Sequence, residues 1–398
     1  MTTIKFHRNL VDAVIDVVSS CILQGGYADK LIEKTLKSDK RWGSRDRSFI
    51  AETSYDIIRN YRLLNFCVEY SDQIADIVGV YFILKKIPLP DWDLFSKLEA
   101  QSVFTLYEKA KNDFAIFNSY PDELVELVKE ELPDTFENEL ISLNREAPLI
   151  LRANTIVTNS DQLKSSLEQR EIFTTTIPDA ADALIVDKKF NVFKDPLFSS
   201  GHFEIQDASS QCVAPFLNVQ SGMRVIDACA GAGGKSLHLA ALMQNKGKVL
   251  CLDTEDWKLI ELRKRATRNK VQIIETRHID NNKVIKRLQE SCDRLLLDVP
   301  CSGLGVLRRN PDAKWKIDRS LIERMKIVQR DLLHRYSSML KTGGLMVYAT
   351  CSILPSENSK QIAYFCNEHH HFQLEEEKVI SPAESGFDGF YMARLKKL

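Results

Sequence analysis

Arg224-Val-Ile-Asp-Ala-Cys-Ala-Gly-Ala-Gly-Gly-Lys-Ser-Leu237 decides the fold. Residues 224–228 are a short apolar run carrying one acid, Asp227, and a helical pattern follows from Ser236. Between them, glycines at 231, 233 and 234 make a turn that lets a ligand approach the backbone closely. A strand entering a helix through such a turn is the opening unit of a parallel sheet, which binds ligands at the carboxyl ends of its strands. The same alternation continues downstream. Residues 248–252, 271–275, 294–299 and 345–349 are short apolar runs separated by helical stretches, the clearest at 320–340. Near-continuous apolar runs belong to strands buried on both faces. The expectation is a doubly wound α/β domain with helices on both faces of a parallel sheet. Residues 387–395 read as a closing hairpin strand, and there is no internal repeat.

The chain around this stretch has 398 residues, too many for one ordinary core. Its 44% hydrophobic and 27% charged content, with 16 Gly and 12 Pro, excludes collagenous, low-complexity and largely disordered readings. The longest nearly unbroken apolar run, 77–84, is far short of the roughly 20 residues that span a bilayer. Asp12 and Asp16 interrupt the apolar residues near the N-terminus, which reads as an amphipathic helix and not as a signal peptide. A cytoplasmic protein with no membrane partner is expected. Nine cysteines, an odd number and widely spaced, contain no C-x-x-C pair; this is a reduced inventory without a zinc site. His369-His370-His371 lacks partners at ligand spacing, so no metal is expected. Oligomeric state is not legible.

Charge divides the chain. Residues 1–118 hold 16 Lys/Arg and 16 Asp/Glu, residues 119–205 hold 8 and 17, and residues 206–398 hold 30 and 22. A polyanion would therefore dock mainly on the C-terminal half. In 1–118, Leu10, Val11, Val14, Val17 and Val18 share one helical face, as do Phe49, Thr53, Ile57 and Ile58, and Pro88 and Pro90 mark a loop. This region reads as an all-α domain. Residues 119–205 read as a small α+β connector, with a helix start at Pro121-Asp122 and strands at 149–152 and 183–186. Residues 206–398 form the α/β domain.

The turn Cys229-Ala230-Gly231-Ala232-Gly233-Gly234-Lys235-Ser236 ends like a P-loop, but that motif wants glycine where Cys229 stands. A tight turn without a ligand is the bland alternative. The second strand ends in Asp253, where a carboxylate accepts hydrogen bonds from both ribose hydroxyls of a nucleoside and repels a triphosphate. Asp280, after the third strand, suits an adenine amino group. The set fits S-adenosylmethionine better than ATP. The fourth strand leads into Asp298-Val299-Pro300-Cys301-Ser302-Gly303 and the fifth into Thr350-Cys351-Ser352, so two thiols emerge at one sheet edge beside the turn. One such cysteine is usually filler; two at neighbouring strand tips point to chemistry.

Residues 298–315 (Asp-Val-Pro-Cys-Ser-Gly-Leu-Gly-Val-Leu-Arg-Arg-Asn-Pro-Asp-Ala-Lys-Trp) and 348–352 (Tyr-Ala-Thr-Cys-Ser) resemble the two signature blocks of the RNA cytosine-C5 methyltransferases of the RsmB/NSUN type. Residues 206–211 are similar to that family's block before its first strand. The resemblance covers roughly 120–398, and 1–118 is more loosely similar to the NusB-like extension of bacterial 16S rRNA members. The family commonly has Ala-Pro where Gly231-Ala232 stands. The resemblance implies a Rossmann-like class I methyltransferase domain that uses S-adenosylmethionine, bound by Cys229 to Lys235 with Asp253, Asp280 and Asp298. It implies Cys351 as the nucleophile that adds to C6 of cytosine, and Cys301 as a base or base relay in release. DNA cytosine-C5 methyltransferases use the cysteine of a Pro-Cys pair and carry a downstream Glu-Asn-Val, which is absent here.

Implied partners are RNA, with small-subunit rRNA favoured and tRNA open. Arg308, Arg309, Lys314, Trp315 and Lys316 are expected to contact RNA, since they combine cations with an aromatic ring. Lys40, Arg41 and Arg45 form a second cluster, softened by Asp39 and Asp46. The six Lys/Arg of 258–270 read equally as a solvated face or an RNA contact. Two further readings from other classes are a P-loop-like ATPase and a non-catalytic RNA-binding or ribosome assembly factor.

Overall fold

The computed structural model describes residues 7–398; the first six residues of the expected 1–118 domain lie outside them. The chain forms two compact units. One runs up to Arg145 and takes in Leu307–Arg319; the other holds Glu146–Val306 and Ser320–Leu398.

The first unit is helical. Helix Arg8–Ile22 buries Leu10, Val11, Val14, Val17 and Val18, the five residues whose spacing predicts it. Helix Ser44–Arg59 buries Thr53, Ile57 and Ile58, and Asp46 caps its start by accepting from the Gly43 amide at 2.9 Å. The apolar run 77–84 lies in helix Ile74–Leu84, which is buried almost all round. Such a helix is a core element. Among the described residues no helix is long and apolar enough to cross a membrane. Helices Asp122–Glu131 and Phe136–Leu143 also pack in this unit.

Leu307–Arg319 is the unexpected member, because it follows the fourth strand of the other unit in sequence. Trp315 packs against the helical core, edge-on to Tyr61 at 5.8 Å, and its Nε1 donates to the Ile58 carbonyl at 2.9 Å. Arg59 Nη2 donates to the Arg308 carbonyl at 2.9 Å.

The second unit contains two sheets. Strands β1 (Ile150–Ala153), β2 (Thr174–Ile177), β3 (Ala180–Val186) and β4 (Phe203–Ile205) are antiparallel in the order β2-β3-β1-β4. Strands β5 (Arg224–Asp227), β6 (Lys248–Asp253), β7 (Ile274–His278), β8 (Cys292–Asp298), β9 (Leu340–Thr350), β10 (Phe372–Ile380) and β11 (Phe390–Lys397) have the order β10-β11-β9-β8-β5-β6-β7. Strands β5 to β9 are parallel; β10 and β11 are antiparallel. Alternate side chains supply two cores. Ile226, Leu250, Leu295, Leu297 and Met346 fill one face, and Val225, Val249, Cys251, Leu296 and Val347 fill the other. Each such side chain contributes about 1.5–3 kcal/mol on burial, which explains why these strands read as unbroken apolar runs. The chain reverses direction across the sheet between β5 and β8, the switch point where doubly wound sheets bind ligands. The Rossmann-like α/β expectation holds.

Two details differ from the sequence reading. The third strand starts at Ile274 and not at 271, because the Val271 amide closes the preceding helix by donating to Ala266 O at 2.9 Å. Strand β10 gives no apolar signal: Glu375, Glu376 and Glu377 lie along an exposed sheet edge.

Candidate active site

The glycine-rich turn follows β5. Gly233 has φ +86°, and a Cβ there would stand 2.4 Å from Leu262 Cγ, so both backbone conformation and space require glycine. Ala230 N donates to Leu252 O at 2.9 Å and ties the turn to β6. Two arginines hold it from behind. Arg265 Nη1 donates to Ala232 O at 2.8 Å, and the buried Arg152 donates to Gly234 O at 2.6 Å. Sequence reasoning missed both, since neither lies near the turn in the chain. Arg265 and Arg268 also pair with the buried Glu204, so part of the basic run 258–270 is structural.

Asp253 ends β6. Its Oδ2 accepts from Gly231 N at 2.8 Å and its Oδ1 from Glu255 N at 2.9 Å. A carboxylate has about four acceptor positions, so two remain. Gly231, at φ +53°, has no atom within 4 Å of where a Cβ would sit. The turn is therefore open beside a carboxylate with acceptor capacity left, which suits the ribose of a nucleoside. Asp280 lies beyond β7, exposed, with Asn281 donating to it at 2.9 Å. Asp298 ends β8 and accepts from Lys235 Nζ at 2.7 Å; Lys235 also stands 5.0 Å from the Phe390 ring centre. Burial opposes the lysine charge, but Asp298 more than offsets it, and Lys235 holds its proton above the usual lysine range. Burial pushes the Asp227 carboxyl up to about 7, although Ser236 donates to it at 2.6 Å. Burial also pushes the Cys229 thiol well up. The P-loop-like ending thus directs Lys235 and Ser236 onto carboxylates.

The two thiols meet. In β8 and β9, Asp298 stands opposite Ala349, so Cys301 and Cys351 emerge at one edge with their sulfurs 3.3 Å apart. Gly305 locks the two loops together: its amide donates to Cys351 O at 2.9 Å, and a Cβ would stand 2.2 Å from Gly389 O. The Cys301 thiol is raised well above its ordinary range, first by the hydrogen bond to Cys351, then by burial and by the charges of Cys351 and Glu357. Either sulfur can be the donor in that contact. Sequence reasoning also missed Glu357, a fully buried carboxylate that accepts from the hydroxyls of Ser302 and Ser352, each at 2.5 Å. Its position six residues after Cys351 was the available signal.

The first expected RNA cluster is partly buried. Lys314 is 1% exposed, with its Nζ on Asn144 Oδ1 at 2.8 Å and 4.4 Å from the Tyr120 ring centre. Arg308 is buried, and Trp315 is packed in the helical unit. Lys316 is held by Asp312 and the Gly26 carbonyl at 2.7 and 2.8 Å. Arg309 is half-buried. In these positions Arg308, Lys314, Trp315 and Lys316 make contacts within the helical unit. Lys40, Arg41 and Arg45 are exposed, with Arg41 paired to Asp39 at 2.6 Å. Among the described residues no group of His, Cys, Asp and Glu is placed to hold a metal.

Residues 214–396 match the family described as 16S rRNA methyltransferase RsmB/F, and residues 120–193 match the ferredoxin-like domain of RsmF/B-like methyltransferases. The chain is 32% identical to ribosomal RNA small subunit methyltransferase B of Proteus mirabilis over 345 residues, 85% of this chain and 80% of that one. It is 34% identical to the probable ribosomal RNA small subunit methyltransferase B of Synechocystis sp. over 298 residues, covering 70% and 67%. In fold it is similar to the crystal structure of a methyltransferase homologue from Pyrococcus horikoshii, with a TM-score of 0.64, 24% identity, and coverage of 72% and 98%.

Proposed function

The chain belongs to the RsmB/F methyltransferase family, and from that premise we propose that it methylates C5 of a cytosine in RNA, with small-subunit rRNA the favoured substrate. The observation that carries this reading is the contact of two cysteine sulfurs, 3.3 Å apart, at strand tips beside an open glycine turn. Cytosine C5 is a poor nucleophile until a group adds to C6. Cys351 is the group that adds, and its sulfur lies in contact with that of Cys301.

S-adenosylmethionine, when bound, supplies the methyl group from its sulfonium. Asp253 would hold its ribose, Asp280 its adenine, and the backbone of Cys229 to Lys235 would line it. Asp298, held by Lys235 at 2.7 Å, would contact the cofactor, the target base or both. Release needs the C5 proton to leave and the bond from C6 to the Cys351 sulfur to break. Cys301 starts as the protonated member of the pair, so it acts as a relay: it passes that proton to solvent and takes the C5 proton in its place. The C5–H electron pair then restores the ring double bond and expels Cys351 as thiolate. The target base must be unpaired or flipped out first, which costs a few kcal/mol outside a loop. Lys40, Arg41 and Arg45, exposed on the helical unit, are proposed to meet the RNA backbone.

The test incubates Cys301→Ala protein with labelled cofactor and unmodified 16S rRNA. A denaturation-resistant adduct, lost when Cys351→Ala is added, is expected; sequencing its RNA identifies the cytosine. Absence of an adduct with both ligands bound would overturn the mechanism.

A further inference from the structure

Glu357 is fully buried, and its carboxylate accepts four hydrogen bonds. Oε1 takes the Ser302 amide at 2.8 Å and Gln329 Nε2 at 3.0 Å, and Oε2 takes the Ser302 and Ser352 hydroxyls, each at 2.5 Å. Ser302 follows Cys301, and Ser352 follows Cys351. One carboxylate therefore grips the residue after each cysteine. The next residue, Asn358, completes the hold: it accepts from Thr350 Oγ1 at 2.5 Å and donates to Ser352 O at 2.9 Å, so its amide brackets Cys351 on both sides. The Tyr348 hydroxyl pins the Glu357 carbonyl at 2.6 Å.

We propose that Glu357 is a positioning residue that holds the two sulfurs in contact and makes their surroundings unequal. The inference rests on the cysteine mechanism proposed above. The inequality follows from the bonding. Ser302 gives the carboxylate two hydrogen bonds, one from the amide of the Cys301–Ser302 peptide; Ser352 gives one. The negative charge thus bears on Cys301. Asp298 is bonded to Lys235, and Tyr348 is neutral. The carboxylate beside Cys301 keeps the proton of the sulfur–sulfur contact on Cys301. Cys351 is then the sulfur that meets the ring. A buried carboxylate with four donors is also rigid, so the sulfur contact does not depend on bound RNA.

The experiment compares wild type and Glu357→Gln. Each protein is treated with substoichiometric iodoacetamide at pH 8 without RNA or cofactor, and alkylation at Cys301 and Cys351 is counted by mass spectrometry. Wild type should react at Cys351 about tenfold more than at Cys301. Glu357→Gln should lose that preference, and its kcat for RNA methylation should fall at least tenfold with the cofactor Kd unchanged. A preference that survives in Glu357→Gln overturns the proposal, even where kcat falls, because a purely structural role predicts that result. If Glu357→Gln does not fold by circular dichroism, Ser352→Ala carries the test. It keeps the carboxylate but frees the Cys351 side, and a roughly threefold fall in both preference and kcat is expected; no change overturns the proposal. Wild-type methylation is assayed in parallel. Its absence would count against the cytosine reading, while the alkylation ratio still judges Glu357.

Discussion

Cys301 and Cys351 are 50 positions apart in the chain and 3.3 Å apart at sulfur. Neighbouring parallel strands create that contact: β8 and β9 run side by side in register, and each releases its cysteine at the same edge. The two thiols sit in unequal surroundings: the hydrogen bond to Cys351, burial and the neighbouring charges of Cys351 and Glu357 raise the Cys301 thiol well above its ordinary range. Exchanging them should therefore not be symmetrical. Cys351→Ala should lower methylation at least ~1000-fold and abolish covalent capture of RNA. Cys301→Ala should still capture RNA and fail to let go, giving a band that survives denaturing electrophoresis. Methylation by Cys351→Ala, or equal behaviour of both variants, would contradict the assignment.

Asp253 ties the turn to β6 and is expected to hold the cofactor ribose. Hydrogen bonds to a charged group contribute about 1.5–3 kcal/mol, so Asp253→Ala should weaken S-adenosylmethionine binding roughly 10- to 150-fold. Isothermal calorimetry reads this directly. An unchanged Kd would remove Asp253 from the ribose position.

Gly231 and Gly233 are two residues apart and should respond differently to alanine. Both have positive φ, so either substitution costs about 1–2 kcal/mol of backbone strain. At Gly233 the added Cβ also meets Leu262, a further ~1–3 kcal/mol. At Gly231 it enters open space on the side proposed for the cofactor. Gly233→Ala should lower Tm more, and Gly231→Ala should lose more cofactor affinity than its small stability change explains. Thermal scans with and without cofactor separate the two effects, and matching profiles would show that Gly231 does not face the ligand.

The elements that position the site were legible because burial and conformation leave strong marks in sequence. A doubly buried strand must be apolar throughout, and a turn at φ +86° under Leu262 must be glycine. Strand β10 escaped because its Glu375, Glu376 and Glu377 meet solvent at a sheet edge, where no apolar pattern is needed. Arg152, Arg265 and Glu357 escaped for another reason. Their roles come from carbonyls and hydroxyls brought to them by the fold, and a lone charged residue in a sequence carries no trace of its partner. The segment 307–319 reads either way, because basic side chains beside a tryptophan serve RNA stacking and burial against an aromatic core equally well. Trp315 and Lys314 take the second use.

Lys314 supplies a test of that last distinction. Its amine is buried beside Tyr120 and Trp315, with no carboxylate contact among the described residues, and desolvation holds its pKa well below the ordinary lysine range. The unfolded chain restores a pKa near 10.4. Between the depressed value and about 10.4, the unfolded state binds the proton and the folded state does not. Stability attributable to this group must then rise with pH across that window and level off above it. Lys314→Met removes the titrating group and keeps an apolar stem of similar length. The slope of unfolding free energy against pH, taken from urea titrations at pH 8 and 9.5, should be lower in Lys314→Met than in wild type by up to about 1.4 kcal/mol per pH unit. At pH 8 the variant should be at least as stable as wild type, since a buried amine is exchanged for a hydrophobe of matching volume. Equal slopes would mean that Lys314 stays charged inside the fold. A large loss of stability in Lys314→Met would mean that its bond to Asn144 outweighs the cost of burying the amine.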